Sequence, residues 1–538
     1  MKKELLKAKQ VLVAVMMAAA AMFTACSDDV DEPVPDPVKL TTPVIGELVR
    51  GAGEATADLT IEWGFIDGAT GYAVEVVKTA QVDETGMVET SESVYNRTTD
   101  MNKVNVSVVY GGEYKITVAA VGDGKLYLDS DAAETVYFWY VAPTTVEAGD
   151  LATTLPALFG AADEEVTFAL VAGRNYTLNA PVDFGGRRVT VKSMANVGTE
   201  AEPVIVENGA HAVVVLGTDG TFRTGNSLTL KNLSIDASAQ VAADGAVTKP
   251  AYLEGRTSPG WGIVEGSTDA AALAAASQAE TAGRQNFLLN NITIDGCFIK
   301  NVPCNVTHVG EYAWAFNAIN VTNSIIQLNN NGHYGDATVF GTYGGGIQPD
   351  GGTNWRVGAI KDLKVENSTI YNIQENTKNR MLRWNGNSNT HHFADGTEVS
   401  ITFNNVTLSQ VMSAKEFANG TWNNNSWATI VFTNNVYRDC FRVLNKMNVN
   451  GCISTITNNL GWWSGTLTQG DAAGVEAGDP ENDASTIENF GGAAAVDFKA
   501  FTFGGDVTKA LDFTAEDGHG VNFKASAASA TQGDPRWN

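Results

Sequence analysis

Positive charge is scarce in this chain. Of 538 residues, 35 are Lys or Arg and 61 are Asp or Glu, a formal net charge of −26. A nucleic-acid groove needs a basic stripe that this balance does not supply. Electrostatic attachment to anionic lipid is disfavoured for the same reason. Charged residues of either sign make up only 18%, below the usual ~25%, so helices with Glu- and Lys-covered faces are few. Cysteine is limited to five. No Cys-x-x-Cys pair occurs and no His pair sits near a Cys, which argues against a structural zinc site. Cys297, Cys304, Cys440 and Cys452 suit either disulfides or small buried hydrophobes. Beyond the first 25 residues no apolar run approaches the ~20 residues of a membrane helix. The chain holds instead 54 Gly with abundant Asn and Thr, a composition of strands and turns. An apolar fraction of 44% is that of a globular protein, and the length allows roughly two to four domains.

The first residues read as an address. Lys2, Lys3, Lys7 and Lys9 precede the apolar stretch Val11 to Ala25, which is short for a bilayer and fits a signal-peptide core. It ends Phe23-Thr24-Ala25-Cys26, which resembles a bacterial lipobox. That resemblance implies cleavage before Cys26 and lipidation of it. The acidic run Ser27-Asp28-Asp29, with Asp31 and Glu32, resembles the surface-export signal of Bacteroidetes lipoproteins. Cleavage would leave 31 basic and 60 acidic groups, a net charge of −29. Pro33, Pro35 and Pro37 favour an extended tether over residues 26–39, in which residues 27–38 span roughly 35 Å at about 3.1 Å per residue.

Residues 40–142 alternate as half-buried strands. Leu59-Thr60-Ile61-Glu62-Trp63, the turn Gly68-Ala69-Thr70-Gly71 before Tyr72, and Tyr114 ahead of Lys115-Ile116-Thr117-Val118 together resemble a fibronectin type III domain. In such a domain Trp63 and Tyr114 are core and corner anchors, and its expected role is a spacer. The segment Asp150 to Phe159 reads as a short amphipathic helix or turn able to cap a sheet edge.

A strand–Asn–strand unit then recurs. Leu228–Ile235, Phe287–Ile294, Ile319–Ile326, Leu363–Ile370 and Ile401–Leu408 carry Asn232, Asn291, Asn323, Asn367 and Asn405 at one place. Looser copies carry Asn435 and Asn459. The Asn spacings are 59, 32, 44, 38, 30 and 24. A repeated unit with uneven spacing signals a coil-by-coil solenoid with corner loops of different length. Asn suits the bend because it tolerates left-handed backbone, and its amide can bond the Asn of the next coil. Thr268-Asp269, the Ala-rich run Ala270 to Glu280 and Gly283 read as one helix inserted at a corner. Residues 143–465 resemble the right-handed parallel β-helix of the pectin-lyase-like superfamily. Residues 466–538 are expected to be a β-rich segment closing or flanking it. The fold class is therefore all-β, a fibronectin type III-like sandwich followed by a parallel β-helix. With the terminal Gly533-Asp534-Pro535-Arg536-Trp537, the arrangement resembles Bacteroidetes surface lipoproteins found beside polysaccharide-utilisation machinery.

That resemblance implies polysaccharide as partner, an outer-membrane lipid anchor, a cell-surface location, and outer-membrane glycan importer components nearby. β-Helix lyases use a strong base beside carboxylate-bound Ca²⁺. The weak base candidates are Arg380, Arg383 and Lys446, with Arg438 and Arg442 behind them. The weak metal-ligand candidates are Asp336 and Asp350, followed by Asp236 and Asp295. The Gly518-His519-Gly520 element lies in the tail, away from the repeats, and His391-His392 reads as a solvated loop. Trp384, Trp422, Trp427, Trp462 and Trp463 stand among Asn and Gly, where an indole can stack on a sugar ring. The leading expectation is a surface lipoprotein that binds or handles polysaccharide. The alternative is a Ca²⁺-dependent polysaccharide lyase or glycoside hydrolase of the same fold, and the third reading is a structural or adhesive protein.

Overall fold

The computed structural model describes residues 36–51, 56–83, 86–140, 143–160, 164–194, 211–256, 260–277, 287–303, 305–330, 338–341, 346–349, 351, 353–354, 360–374, 380–383, 399–411, 418–419, 428–438, 440, 453–462, 509–524 and 531–538. They fall into two compact units that divide near Tyr140, with Asp83–Gly86 assigned to the second unit.

The first unit has two antiparallel sheets. Val49–Arg50, Thr56–Glu62 and Lys103–Val109 form a three-stranded sheet. Gly86–Thr99, Gly71–Asp83, Gly112–Val121 and Ala133–Phe138 form a four-stranded one in that order. Period-two alternation sends Leu59, Ile61, Val104 and Val106 from one sheet, and Val74, Val76, Ile116 and Val118 from the other, into a shared core. Trp63 and Tyr72 meet edge to face at 5.5 Å. The Tyr114 hydroxyl accepts the Val109 N–H at 2.7 Å, fixing the chain where it turns between strands.

The second unit is a parallel β-helix. Among the described residues, one sheet counts 17 strands and another seven, each paired in parallel. The larger sheet contributes two strands per coil, meeting at a corner. Strands Ile360–Asn372 and Val399–Ser409 run straight through that corner and join the two faces. They are called below the first face, before the corner, and the second face, after it; the seven-stranded sheet is the third face. Like residues stack in columns. Val189, Leu228, Ile292, Ile319, Leu363, Ile401 and Ile430 are successive partners on the first face, all buried in the core. A buried side chain of this size contributes about 2 kcal/mol, and the repetition makes the stack continuous.

The corner explains the Asn repeat and corrects its frame. Left-handed backbone occurs at Asn232, Asn323, Asn367 and Asn405, with φ between 46° and 55°. In the coil read as centred on Asn291 the corner falls instead on Gly296, φ 60°. Asn291 is inside the strand Phe287–Asp295, opposite Ala318. In the last two coils the corners are Asn434 and Asn458 rather than Asn435 and Asn459. Those second Asn residues face inward: Asn435 Oδ1 accepts the Val406 N–H at 2.9 Å, and Asn459 Oδ1 accepts the Asn435 N–H at 2.9 Å. In earlier coils Ser324 and Ser368 fill the same position, accepting from Cys297 and Ser324. Each therefore satisfies an amide of the preceding coil that the bend would orphan. Outside, Asn405 Nδ2 donates to Asn367 and Asn458 Nδ2 to Asn434, at 3.2 and 2.7 Å.

Helix α1, Leu151–Ala157, is N-capped by Asp150. Its Leu151 and Leu155 enter the core, covering the edge of the first coils. Helix α2, Ala270–Ala276, is capped by Asp269, which accepts the Ala272 N–H at 2.8 Å. The helix expected to run to Glu280 stops at Ala276, because Ser277 is extended and bridges to Phe287; residues 278–286 lie outside the described residues. Cys297 and Cys440 are buried free thiols, and Cys304 and Cys452 lie outside the described residues. In the tail, the described residues are turns and one 3₁₀ turn, Pro535–Trp537, rather than strands.

Candidate functional site

On the first face, Leu228 and Leu230, then Ile292 and Ile294, point into the core, so Lys231 and Asp295 at the alternate positions point out. They are register partners, followed by Thr322 and Glu366 in the next coils. This outward column runs beside the corner residues Asn232, Gly296, Asn323 and Asn367. Asp295 is well engaged. Its Oδ1 accepts from Thr322 Oγ1 at 2.7 Å and Asn323 Nδ2 at 3.1 Å, and its Oδ2 lies 3.5 Å from Lys231 Nζ.

The terminal residues run across the same corner as a strap. The Gly533 N–H donates to the Asn434 carbonyl at 2.7 Å. Asp534 accepts from Thr369 Oγ1 at 2.7 Å, and its N–H donates to Thr407 at 3.0 Å. Arg536 donates to the Ser324 and Asn367 carbonyls at 3.1 and 3.0 Å while pairing with Asp534. Trp537 packs with Ile325, Tyr371, Leu511, Val521 and Phe523 in a separate apolar cluster. Four consecutive coils are tied together by residues 533–537.

Between column and strap lies a groove of about 580 Å³. Corner residues of four consecutive coils line it with Lys231, Asp295, His211 and Phe298; Asp517–Gly518 and Asp534–Arg536 form the other wall. The His211 ring lies tilted by 41° against Phe298 at 4.6 Å, and its Nδ1 is 3.2 Å from Ser234 Oγ. His519 meets Phe298 and Trp537 edge-on at 5.9 and 5.0 Å. Burial pushes His211 down to about 4 and lowers His519 too, so both rings are neutral at pH 7. Burial raises Asp534 despite Arg536. The Gly520 N–H holds Asp517 below the ordinary carboxylate range. The groove thus presents amides, two cations, carboxylates and one aromatic face. That set can hold a hydroxyl-rich ligand; its carboxylates are too committed to serve as free bases.

Among the described catalytic and metal-ligand candidates, Asp295 alone joins this groove, as a Lys231-paired wall residue. Asp236 pairs with Lys300 at 3.3 Å and accepts from Asn301 and Ser238. Arg380 is buried on the third face, in register with Thr338. Arg438 is buried and donates to Ser409 at 3.3 Å; neither arginine lines the groove. Arg383 and Trp462 have strand backbones, with side chains outside the description. Cys26, Asp336, Asp350, Trp384, His391, His392, Trp422, Trp427, Arg442, Lys446 and Trp463 lie outside the described residues. Among the described residues no group of three or more His, Cys, Asp or Glu could hold a metal ion. Sequence reasoning missed Lys231, His211 and Arg536. Only the terminal Gly-Asp-Pro-Arg-Trp run signalled one of them, and without a role.

No protein-family model and no curated protein matches the chain. Solved structures that pair with it do so at low similarity, two pectate lyases among them. One is pectate lyase PelI from Erwinia chrysanthemi in complex with tetragalacturonic acid: 12% identity, 81% of this chain, 87% of that one, TM-score 0.12. The other is pectate lyase Pel3 from Pectobacterium carotovorum: 11% identity, 82% and 97% coverage, TM-score 0.13. The parallel β-helix rests on the strand pairing described above.

Proposed function

We propose that this chain is a cell-surface lipoprotein that captures polysaccharide in the groove along the corner of its β-helix. The groove itself carries the reading: about 580 Å³, spanning four coils and lined with amide, ammonium, guanidinium and carboxylate groups beside an aromatic ring. Coils repeat every ~4.8 Å, so similar polar chemistry recurs along the groove. That suits an extended polymer of repeated units. Lys231 and Arg536 nearly balance Asp295, Asp517 and Asp534, which favours neutral or sparsely charged glycans. The mature charge of −29 weighs against an unaided grip on dense polyuronates.

In this reading Cys26 carries the outer-membrane anchor, residues 26–39 the tether, and the fibronectin type III-like unit the spacing. Trp384, Trp422, Trp427, Trp462 and Trp463 are proposed as further stacking platforms, and importer components as partners. Ca²⁺-assisted lyase or hydrolase chemistry gains no support from the groove, where Asp295 is spent on Lys231, Thr322 and Asn323. Affinity electrophoresis of the mature protein on plant and host polysaccharides tests the proposal. Retention by at least one glycan is expected, weakened tenfold or more by Lys231→Ala with Asp517→Ala. No retention across the panel overturns it. Unsaturated uronate products abolished by chelation would favour the enzymatic alternative.

A further inference from the structure

Lys192 occupies the strand Arg188–Met194, in which Val189 and Val191 enter the core, so it points out of the first face. Its register partner in the next coil is Lys231, whose own partner is Asp295. Two ammonium groups and one carboxylate therefore stand in one outward column at steps of ~4.8 Å. Lys192 is only 7% exposed, and among the described residues it has no hydrogen-bond or ion-pair partner. The column's carboxylate sits beyond Lys231, with Oδ1 taken by Thr322 and Asn323. The other charge on this strand, Arg188, pairs with Glu165 of the neighbouring strand Glu165–Val171 at 3.5 Å. Nearby His211 is held neutral by burial.

A buried ammonium without a counter-charge is costly. Burial first, and Lys231 second, lower the Lys192 pKa to about 8, which still leaves it mostly charged at pH 7. Thr190 and Thr229, register partners two residues back on the same outward side, add hydroxyl donors beside the two lysines.

We propose that Lys192 and Lys231 form a subsite for a single oxyanion substituent, a carboxylate or a sulfate ester, on the glycan held in the groove. The ligand class rests on the groove reading; the lysine pair is an independent observation. The subsite extends the groove wall by one coil beyond Lys231 and gives a nearly balanced groove one positive end. A glycan with sparse acidic groups fits it.

The test is calorimetric titration of the full mature chain at fixed ionic strength with dextran, sparsely sulfated dextran, sparsely carboxymethylated dextran and sodium sulfate. Sulfated or carboxylated polymer is expected to bind at least tenfold more tightly than dextran. Lys192→Met is expected to erase that preference, leave dextran binding unchanged and raise Tm by removing a buried charge. Lys192→Arg, with charge kept, is expected to retain the preference. Competition by sodium sulfate against sodium glucuronate distinguishes the sulfate source from the carboxylate source. A folded Lys192→Met protein with undiminished acidic-polymer affinity overturns the subsite, as does failure of sulfate and both acidic polymers to bind. If sulfate binds in a Lys192-dependent manner while no polymer does, the subsite stands and the glycan reading falls. If all polymers bind alike and Lys192→Met changes nothing, the glycan reading stands and the subsite falls.

Discussion

Gly296 bends the chain at φ 60°, and a Cβ there would collide with Asn232 Oδ1 of the preceding coil. Left-handed backbone at a residue with a Cβ costs ~1–2 kcal/mol, before the clash. Gly296→Ala is therefore expected to lower unfolding stability by about 2 kcal/mol or more in denaturant titration; a change under about 0.5 kcal/mol would contradict this corner. The same residue shows why the repeat was only partly legible. Asn232, Asn323 and Asn367 revealed their corners because a lone Asn stood between apolar strands, and at Asn404-Asn405 the strand pattern fell on Asn405, which is the corner. Gly296 hid because Asn291 offered a better local match, and register depends on partners in other coils. At Asn434-Asn435 and Asn458-Asn459 composition could not say which amide turns outward. His211 gives a pH test. Its folded pKa, about 4, lies below the ordinary 6.5, so the unfolded chain takes the proton first. Its stabilising contribution is complete above pH 6.5 and is lost as pH falls towards 4, by at most about 3 kcal/mol. His519 shifts in the same direction. Asp534, raised by burial, works the other way, gaining stability as pH falls through the carboxylate range. His211→Phe should flatten the decline between pH 6.5 and 4 in Tm profiles; an unchanged slope would show that His211 does not set it.

Among elements, the strap is the one whose role was least readable. Its residues lie more than 100 positions from most of their partners: Trp537 Nε1 donates to Thr369 at 2.7 Å, and Arg536 reaches Ser324 and Asn367. No local periodicity reports such contacts. Trp537→Ala removes a nearly buried indole from the Tyr371–Phe523 cluster and is expected to cost about 3 kcal/mol. It should also weaken glycan retention, because the strap forms one groove wall. Loss of stability below about 1 kcal/mol, with retention intact, would show that the strap is neither clamp nor wall. Helix α1 was more legible, since Asp150 as cap and the Leu151/Leu155 spacing point to one buried face. Helix α2 likewise began at the expected Asp269.

For the whole molecule, the scarcity of charged helix faces has a structural cause: coils spend Asn, Ser, Thr and Gly on bends and ladders. The solenoid was legible because each coil repeats its apolar column. The groove was not, because Lys231 and Asp295 are 64 positions apart in sequence and become neighbours only through stacking. The central claim is that glycan lies along this corner. Hydrogen–deuterium exchange on the mature protein, with and without a saturating glycan retained in electrophoresis, tests it directly. Protection is expected in peptides covering Lys231–Asn232, Asp295–Gly296, Asn323, Asn367 and Asp517–Gly518. Protection absent there and confined to peptides around Trp384, Trp422 and Trp427 would contradict the account.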